Sequence, residues 1–249
     1  MQLSVVIITK NEARIIGNTL ESTRHLTDDV VVVDSGSTDG TIGICKQFGA
    51  RVVATGWDGY GNNKNKGSAA ARHDWIFSLD ADEAIDEELK SSLEKIGLQK
   101  ENVVYQFKRR NFFCGKEIKH GEWGRDKVRR IYNKNIVSWN EADVHEELVS
   151  TTATITQEIK GSLLHYTAQD RQAYESKTDR YAQLSAKKYK EKGKKASLVK
   201  RFVSPVISFV TNYIFRLGFL DGKEGYFIAM NTARYTFLKY RYLHRNYEL

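Results

Sequence analysis

The chain has 249 residues, of which 41% are hydrophobic, so it can bury a substantial core, and this composition excludes an intrinsically disordered protein. Its two cysteines, Cys45 and Cys114, match no metal-ligand spacing, and we expect reduced thiols in a cytoplasmic protein. The formal net charge of +8 is uneven, because residues 171–249 carry 17 Lys and Arg against 6 Asp and Glu, and the first 170 residues carry 22 against 25. A basic C-terminal region attracts nucleic acid, anionic lipid or a phosphorylated substrate, and charge alone does not choose among them.

Short β-branched runs alternate with helical patterns through the first third of the chain. The run at residues 3–9 predicts a buried strand, and the apolar spacing from Ile15 to Leu26 predicts a helix after it. The same order repeats, with further strands near residues 30–34, 51–55 and 74–80 and helices near residues 42–50 and 64–73. This alternation predicts an α/β fold with a mostly parallel sheet and helices on both faces.

Polar residues follow three of the predicted strands. Thr9, Asn11 and Glu12 follow the first strand, Asp34–Asp39 follow the second, and Asp80–Glu83 follow the fourth. In parallel α/β sheets, ligands bind beyond the carboxyl ends of the strands. We therefore expect these segments to meet at one crevice.

Each of these turns also has a purely structural interpretation. Asp34 suits hydrogen bonding to a ribose or a base edge, but the turn after it equally suits an ordinary helix cap. Asp80 and Asp82 can converge on a hard divalent cation that bridges them to a diphosphate, whereas Asp86 and its acidic neighbours can simply begin a helix. The common position of these residues at strand ends favours ligand binding.

Four stretches of the sequence together resemble the inverting family 2 glycosyltransferases, which have the GT-A fold. They span about half of the chain in the expected order and read SVVIITKNE, VVVDSGSTDGT, NKNKGSAAARHDWIFSLDADE and VHEELV. The sequence is similar in particular to small bacterial members that add sugars to lipopolysaccharide core or related surface glycans. The resemblance implies a Rossmann-like GT-A domain and a nucleotide-diphosphate-sugar donor with a uridine nucleotide.

The resemblance also implies roles for individual residues around that donor. Asp80 and Asp82 match the family's DXD motif, with Asp82 as the direct ligand of Mn²⁺ or Mg²⁺, and Lys64 and Asn65 match a polar pair near the base and ribose. The cation stabilises the leaving diphosphate as a Lewis acid. The full set of residues assigned to the nucleotide and diphosphate is Thr9, Asn11, Glu12, Asp34, Asp39, Lys64, Asn65, Asp80 and Arg129.

Inverting transfer also needs a base that takes the proton of the acceptor hydroxyl. The segment WNEADVHEELV supplies Glu146 as the first candidate and Asp143 as the second. His145 is a candidate for orienting the base or for contacting the metal or diphosphate, and a structural role for this histidine is the alternative.

Aromatic and basic residues alternate between the two carboxylate segments. Trp123 and Trp139 are candidates for stacking on sugar rings, and Arg125, Arg129 and Arg130 are candidates for binding a diphosphate or an anionic acceptor through forked hydrogen bonds. Ordinary strand packing with the arginines in solvent is the alternative.

The C-terminal region has a basic stretch followed by an apolar helical pattern. From Phe202 to Leu217 the apolar residues fall on one helical face, but the uncharged run is only about 14 residues, shorter than the roughly 20 that span a bilayer. We predict an interfacial helix whose basic flank attracts anionic lipid, with a helical hairpin packed on the catalytic domain as the alternative. The predicted domains are a GT-A catalytic domain at residues 1–168, divided near residue 100 into donor and acceptor halves, and an amphipathic helical extension at residues 169–249.

The sequence therefore predicts a metal-dependent inverting glycosyltransferase that moves a sugar from a UDP-sugar to a lipid-linked or lipopolysaccharide-core-type glycan. We expect it in the cytoplasm, peripheral on the inner face of the cell membrane, and without a nucleic-acid partner. A nucleic-acid-binding protein would explain the basic tail but not the acidic crevice. A sugar nucleotidyltransferase would begin with a Gly-rich, Arg-containing phosphate loop, which VVIITKNEARI lacks, and an inactive scaffold of the same fold is a further alternative.

Overall fold

The chain forms two compact units. The computed structural model describes residues 2–98, 100–141, 146–168 and 170–245. The first unit comprises Met1–Arg109 and Lys127–His165, and the second comprises Arg110–Asp126 and Tyr166–Leu249. The predicted domain boundary at residue 168 stays a prediction.

Four parallel strands form one half of the sheet in the first unit, in the order β3-β2-β1-β4. They are β1 (Leu3–Thr9), β2 (Val30–Asp34), β3 (Arg51–Ala54) and β4 (Trp75–Asp80). All seven residues of β1 are buried, with Val5 and Ile7 in one apolar cluster and Val6 in another. Burial on both faces explains why this strand is a continuous apolar run rather than an alternating one.

Four helices accompany these strands: α1 (Ile16–Ser22), α2 (Thr41–Gln47), α3 (Tyr60–Ala70) and α4 (Glu87–Glu94). Helix α3 begins before the predicted Lys64, because Gly59 turns the chain with a φ of 101° just ahead of it. The carboxylate of Asp86 accepts a hydrogen bond from the backbone N–H of Leu89 at 2.8 Å and caps α4. The structural interpretation thus holds for Asp86.

Helix α3 lies directly against the parallel strands at Gly67. A Cβ atom at this position would stand 2.3 Å from Cγ1 of Val6 and 2.9 Å from Cγ2 of Val33, so the approach requires glycine. Lys64 lies three residues earlier on the same helix, and the close approach holds it beside the ends of β1 and β2.

Antiparallel strands complete the sheet of the first unit. Beyond β4 the strand order continues through β8, β6 and β11 to β5, and β4 pairs antiparallel with β8. These strands are β5 (Glu83–Ile85), β6 (Val103–Phe113), β8 (Lys127–Asn133) and β11 (Ile155–Ala168). The end of β6 pairs with β7 (Lys116–Ile118), whose residues belong to the second unit. A separate two-stranded antiparallel sheet consists of β9 (Val137–Trp139) and β10 (Leu148–Ser150). The predicted α/β fold class is confirmed.

The second unit is mainly helical, with α5 (Arg171–Glu191), α6 (Leu198–Val210) and α7 (Gly222–Arg245). Its aromatic cluster gathers Phe113, Trp123, Tyr174 and Phe227, and the Trp123 and Tyr174 rings lie 5.6 Å apart. Trp123, a candidate for sugar stacking, therefore has its ring within this packing.

One side of α6 contacts α7, whereas the alternative of a hairpin packed on the catalytic domain stays a prediction. The rings of Phe209 and Tyr226 lie 5.9 Å apart, and those of Phe202 and Phe237 lie 6.0 Å apart. In the part of the chain that the structure describes, no single helix is long and apolar enough to cross a membrane. The bent pair of Leu198–Phe215 and Gly218–His244, with an angle of 71° between them, meets that criterion by length and composition when taken together.

Candidate active site

The turn after β2 is organised around Asp34. Its carboxylate accepts hydrogen bonds from the backbone N–H groups of Gly36 at 3.0 Å and Ser37 at 2.9 Å, and also from the Ser37 hydroxyl. Thr9 is the register partner of Asp34 on β1, so both residues stand at the carboxyl edge of the parallel strands, as expected.

Asn11 and Asp39 join the loops that follow β1 and β2. The side-chain oxygen of Asn11 accepts from the backbone N–H of Thr38 at 2.8 Å, and Asp39 accepts from the N–H groups of Ala13 at 3.1 Å and Thr41 at 3.0 Å. The hydrogen bond from the Thr41 hydroxyl is the main cause that lowers the pKa of Asp39. The side chains of these two predicted nucleotide-site residues therefore connect the two loops.

Two buried polar atoms near this edge have no hydrogen-bond partner among the described residues. They are Oγ1 of Thr9 and Oδ1 of Asn63, although the Asn63 amide donates to Oγ of Ser35 at 3.2 Å. Buried polar atoms are normally paired, so each is available to a ligand. The sequence interpretation chose Lys64 and Asn65 and missed Asn63 beside them.

A network of charged side chains lies at the carboxyl end of β4, and Arg109 joins it by donating to Oε1 of Glu83 at 3.4 Å. Nζ of Lys64 donates to Oε1 of Glu146 at 2.7 Å and lies 3.1 Å from Oδ1 of Asp80. Nη2 of Arg130 donates to Oδ2 of Asp80 at 2.7 Å and to Oε1 of Glu83 at 2.8 Å. The side chains of Lys64 and Glu83 are fully buried, so these contacts are held within the fold rather than at its surface.

The network fixes the charge state of Asp80, the first residue of the predicted DXD motif. Burial alone would raise the pKa of Asp80, but the positive charges of Arg130 and Lys64 outweigh burial and hold this pKa well below its usual range. Burial likewise opposes the charge of Arg130, and Asp80 and Glu83 reverse that effect and raise its pKa. Asp80 therefore stays ionised and is neutralised mainly by side chains of the protein.

An aromatic and amide framework supports Lys64. Its Nζ lies 4.5 Å from the ring centroid of Trp139, close enough for a cation–π interaction. Asn65 pairs with the backbone of Trp139, donating to the carbonyl at 2.8 Å and accepting from the N–H at 2.9 Å. The Trp139 ring is buried and donates to the hydroxyl of Tyr132 at 2.8 Å, and burial raises the pKa of Tyr132 to about 12. Asn65 and Trp139 thus serve the framework around the charged network.

The second aspartate of the motif has a different environment. The Asp82 side chain is 22% exposed, and its Oδ2 lies 3.4 Å from Nε2 of His165 on β11. His165 was missed in the sequence, since it lies 83 positions after Asp82 and matches no pattern. Across residues 2–98, 100–141, 146–168 and 170–245, no group of three or more His, Cys, Asp and Glu side chains is arranged to hold a metal.

The remaining predicted site residues divide into four groups. Glu12 follows β1, and its backbone N–H donates to Oγ1 of Thr41 at 2.9 Å. Arg130 enters the charged network, whereas Arg129, its neighbour on β8, and Arg125 are exposed. Asp143 and His145 lie outside the described residues.

The family model for Glycosyl transferase family 2 matches residues 4–156, more than half of the chain. The chain belongs to this glycosyltransferase family. The match includes β1 to β4, the DXD motif, Lys64, Arg130 and Glu146, which are the elements that build the crevice and the charged network.

Full-length relatives agree with the family assignment. The chain is 30% identical to the lipopolysaccharide core biosynthesis glycosyltransferase LpsC of Rhizobium meliloti, over 96% of this chain and 90% of that protein. It is 29% identical to an uncharacterised glycosyltransferase of Rickettsia prowazekii, over 96% of this chain and 85% of that protein. Among solved structures, glucosyl-3-phosphoglycerate synthase from Mycobacterium tuberculosis, in complex with Mn²⁺, UDP and glucosyl-3-phosphoglycerate, aligns over 44% of each chain with 26% identity and a TM-score of 0.35.

The family predicted from the sequence is confirmed, and the chain is a glycosyltransferase. The two relatives also extend past the family match at residue 156, so their similarity includes the region of α5 to α7.

Proposed function

We propose that this glycosyltransferase moves a sugar, with inversion, from a UDP-sugar to a lipid-linked or lipopolysaccharide-core-type glycan in the presence of Mn²⁺ or Mg²⁺. The observation that carries the proposal is the link from Asp80 through Lys64 to Glu146, which joins the donor motif to a second carboxylate. A glycosyl transfer needs both a site that binds the diphosphate of the donor and a base that takes the proton of the acceptor hydroxyl.

Glu146 is the base in this proposal. The acceptor hydroxyl oxygen attacks the anomeric carbon, the bond from that carbon to the diphosphate oxygen breaks, and the hydroxyl proton passes to the Glu146 carboxylate. The hydrogen bond of 2.7 Å from Lys64 occupies Oε1 and fixes the orientation of the carboxylate, so Oε2 is the oxygen that takes the proton.

The residues fit a divalent cation that is shared between the protein and the diphosphate. Mg²⁺ and similar ions are often held by one or two carboxylates together with substrate phosphates rather than by a complete protein cage. Asp82 offers a partly exposed carboxylate with His165 beside it, whereas Asp80 is already neutralised by Lys64 and Arg130. Asp82 would therefore hold the cation, which supplies Lewis-acid stabilisation to the leaving diphosphate.

The nucleotide is assigned to the crevice at β1 and β2. Thr9 and Asn63 each present a buried oxygen that lacks a partner among the described residues, and these atoms suit polar groups of a ribose or base. Asn11, Asp34 and Asp39 already bond to the loops, so their contribution is to place those oxygens.

The acceptor class rests on the relatives rather than on the site. LpsC of Rhizobium meliloti is named as a lipopolysaccharide core biosynthesis glycosyltransferase, and it aligns with nearly the whole of this chain. A lipid-linked glycan acceptor accords with a cytoplasmic enzyme that works at the inner face of the cell membrane.

A transfer assay tests this function. Purified full chain is incubated with radiolabelled UDP-sugars and a lipopolysaccharide-core acceptor, first with Mn²⁺ and then with excess EDTA. We expect labelled product with an inverted anomeric centre, and a rate that falls roughly a thousandfold in EDTA because the cation supplies several kcal/mol of transition-state stabilisation. An equal rate in EDTA would contradict the metal role, and absence of transfer from any nucleotide sugar would contradict the function.

A further inference from the structure

Helix α6 of the second unit exposes a continuous apolar stripe. Its members repeat every four residues in two adjacent rows, so they share one face of the helix. The stripe consists of Leu198, Val199, Phe202, Val203, Val206 and Ile207, whose exposed fractions lie between 47% and 68%. The Phe202 ring also lies 6.0 Å from the Phe237 ring of α7, yet it keeps an exposed fraction of 58%.

The apolar surface continues past the end of α6. A π-helical turn at Thr211–Phe215 and a short 3₁₀ helix at Gly218–Asp221 follow, and they expose further large apolar side chains. These are Ile214, Phe215, Leu217, Phe219 and Leu220, with Phe215 exposed to 76%. We call the stripe and these five side chains together the apolar patch. Large apolar side chains exposed in such number along one segment indicate a binding surface.

The charged residues within the segment that carries the apolar patch are all basic. Residues 192–220 contain no Asp or Glu, and they contain six basic residues. Five of these cluster at the beginning of the segment and one follows the π-helical turn: Lys192, Lys194, Lys195, Lys200, Arg201 and Arg216. Apolar side chains bordered by basic ones match an anionic phospholipid surface. The apolar side chains would contact the acyl chains, and the basic side chains would be attracted to the anionic headgroups.

We propose that residues 192–220 dock on an anionic phospholipid surface, with α6 lying in the plane of the headgroups. At 13 residues, α6 is about 20 Å long, which is shorter than the roughly 30 Å hydrocarbon core. A second copy of the chain is a poorer occupant, because its residues 192–220 would offer no acidic side chain to pair with the basic ones. The proposal does not depend on the sugar donor or on the acceptor.

Vesicle co-sedimentation of the full chain, without nucleotide or sugar, tests this docking. We expect the protein to bind vesicles with about 30% phosphatidylglycerol in phosphatidylcholine and to bind pure phosphatidylcholine vesicles much more weakly. High salt should weaken binding to the phosphatidylglycerol vesicles, because salt screens the attraction between charges. Charge reversal at Lys192 and Lys195 should weaken binding by more than fivefold for each lysine, since neutralising one basic residue alone costs about fivefold.

Substitutions in the stripe separate the apolar contribution from the electrostatic one. Val206→Asp and Ile207→Asp remove exposed side chains, so they should leave the fold intact, and each should weaken vesicle binding tenfold or more. The matched control is Ile155→Asp in the first unit, where a side chain exposed to 56% is replaced with the same charge change, and binding should not change.

Two outcomes overturn the proposal. One is vesicle binding that is equal for both lipid compositions and unaffected by the Val206 and Ile207 variants. The other is a concentration-dependent dimer in analytical ultracentrifugation that these variants dissociate, which would assign the apolar patch to a second copy of the chain.

Discussion

Glu146→Gln is expected to slow sugar transfer by roughly 10²–10⁴-fold, because it removes the base that takes the acceptor proton. The amide oxygen of Gln can still accept the hydrogen bond that Lys64 now donates to Oε1, so the network around Asp80 should keep its geometry. Donor binding should therefore change little, and the loss should appear in kcat rather than in the affinity for the UDP-sugar. Steady-state kinetics with varied donor, together with calorimetric titration of the donor, measures both quantities.

Glu147→Gln is the matched control for this substitution. The next residue in the chain has an exposed side chain, and its backbone rather than its carboxylate bonds to Asn140. The control should transfer sugar at the rate of the unmodified enzyme. If Glu146→Gln stays within a few-fold of that rate while Asp143→Asn loses activity, the base is Asp143 and not Glu146.

Lys64→Met is expected to lower the free energy of unfolding by about 3–5 kcal/mol, the usual cost of removing one partner from a buried ion pair. Met preserves most of the length of the Lys side chain but withdraws the ammonium from both Asp80 and Glu146. Urea denaturation at pH 7 measures the change.

The pH dependence of this loss follows from the lowered pKa of Asp80. Because the folded-state pKa of this carboxyl lies below its unfolded value of about 3.9, its stabilising contribution is complete above that pH and is lost as the pH falls below it. In Lys64→Met the pKa of Asp80 should be less depressed. The difference in unfolding free energy between the two proteins should thus be largest near neutral pH and narrow on acidification below about pH 4.

Lys66→Met provides the comparison on the same helix. The Lys66 side chain is 40% exposed and pairs with Asp58 at 2.7 Å on the surface, so its removal should cost no more than about 1 kcal/mol. If Lys64→Met and Lys66→Met lower the free energy of unfolding equally, the Lys64 contacts contribute no more to stability than a surface ion pair.

The parallel half of the fold could be predicted because its strands carry a local signal. Each of β1, β2 and β4 is a run of apolar residues buried by helices on both faces, and each ends in polar residues that meet at one edge. The antiparallel strands β6, β8 and β11 mix charged and apolar residues. Their pairing depends on register between distant segments, which one sequence does not specify.

The sequence predicted where the candidate site lies, at the ends of the parallel strands, but not which side chains contact one another there. The hydrogen bond from Lys64 to Glu146 joins residues 82 positions apart, and no spacing rule connects them. Arg129 and Arg130 are adjacent on β8 at an irregularity in its pairing with β6, and one sequence does not specify this irregularity or which of the two reaches Asp80. The same limit applies to the α6 pattern, because periodicity identified an apolar helix but not which of its residues contact α7.

Calorimetric titration with UDP, with and without Mn²⁺, is the most direct test of the central claim that the acidic crevice binds a nucleoside diphosphate. We predict binding that requires Mn²⁺ and is lost in Asp82→Asn. Asp74→Asn, a matched change at an exposed residue just before β4, should bind as the unmodified protein does. Binding that is equally strong in Asp82→Asn, or equally strong without the metal, would contradict the role given to Asp82.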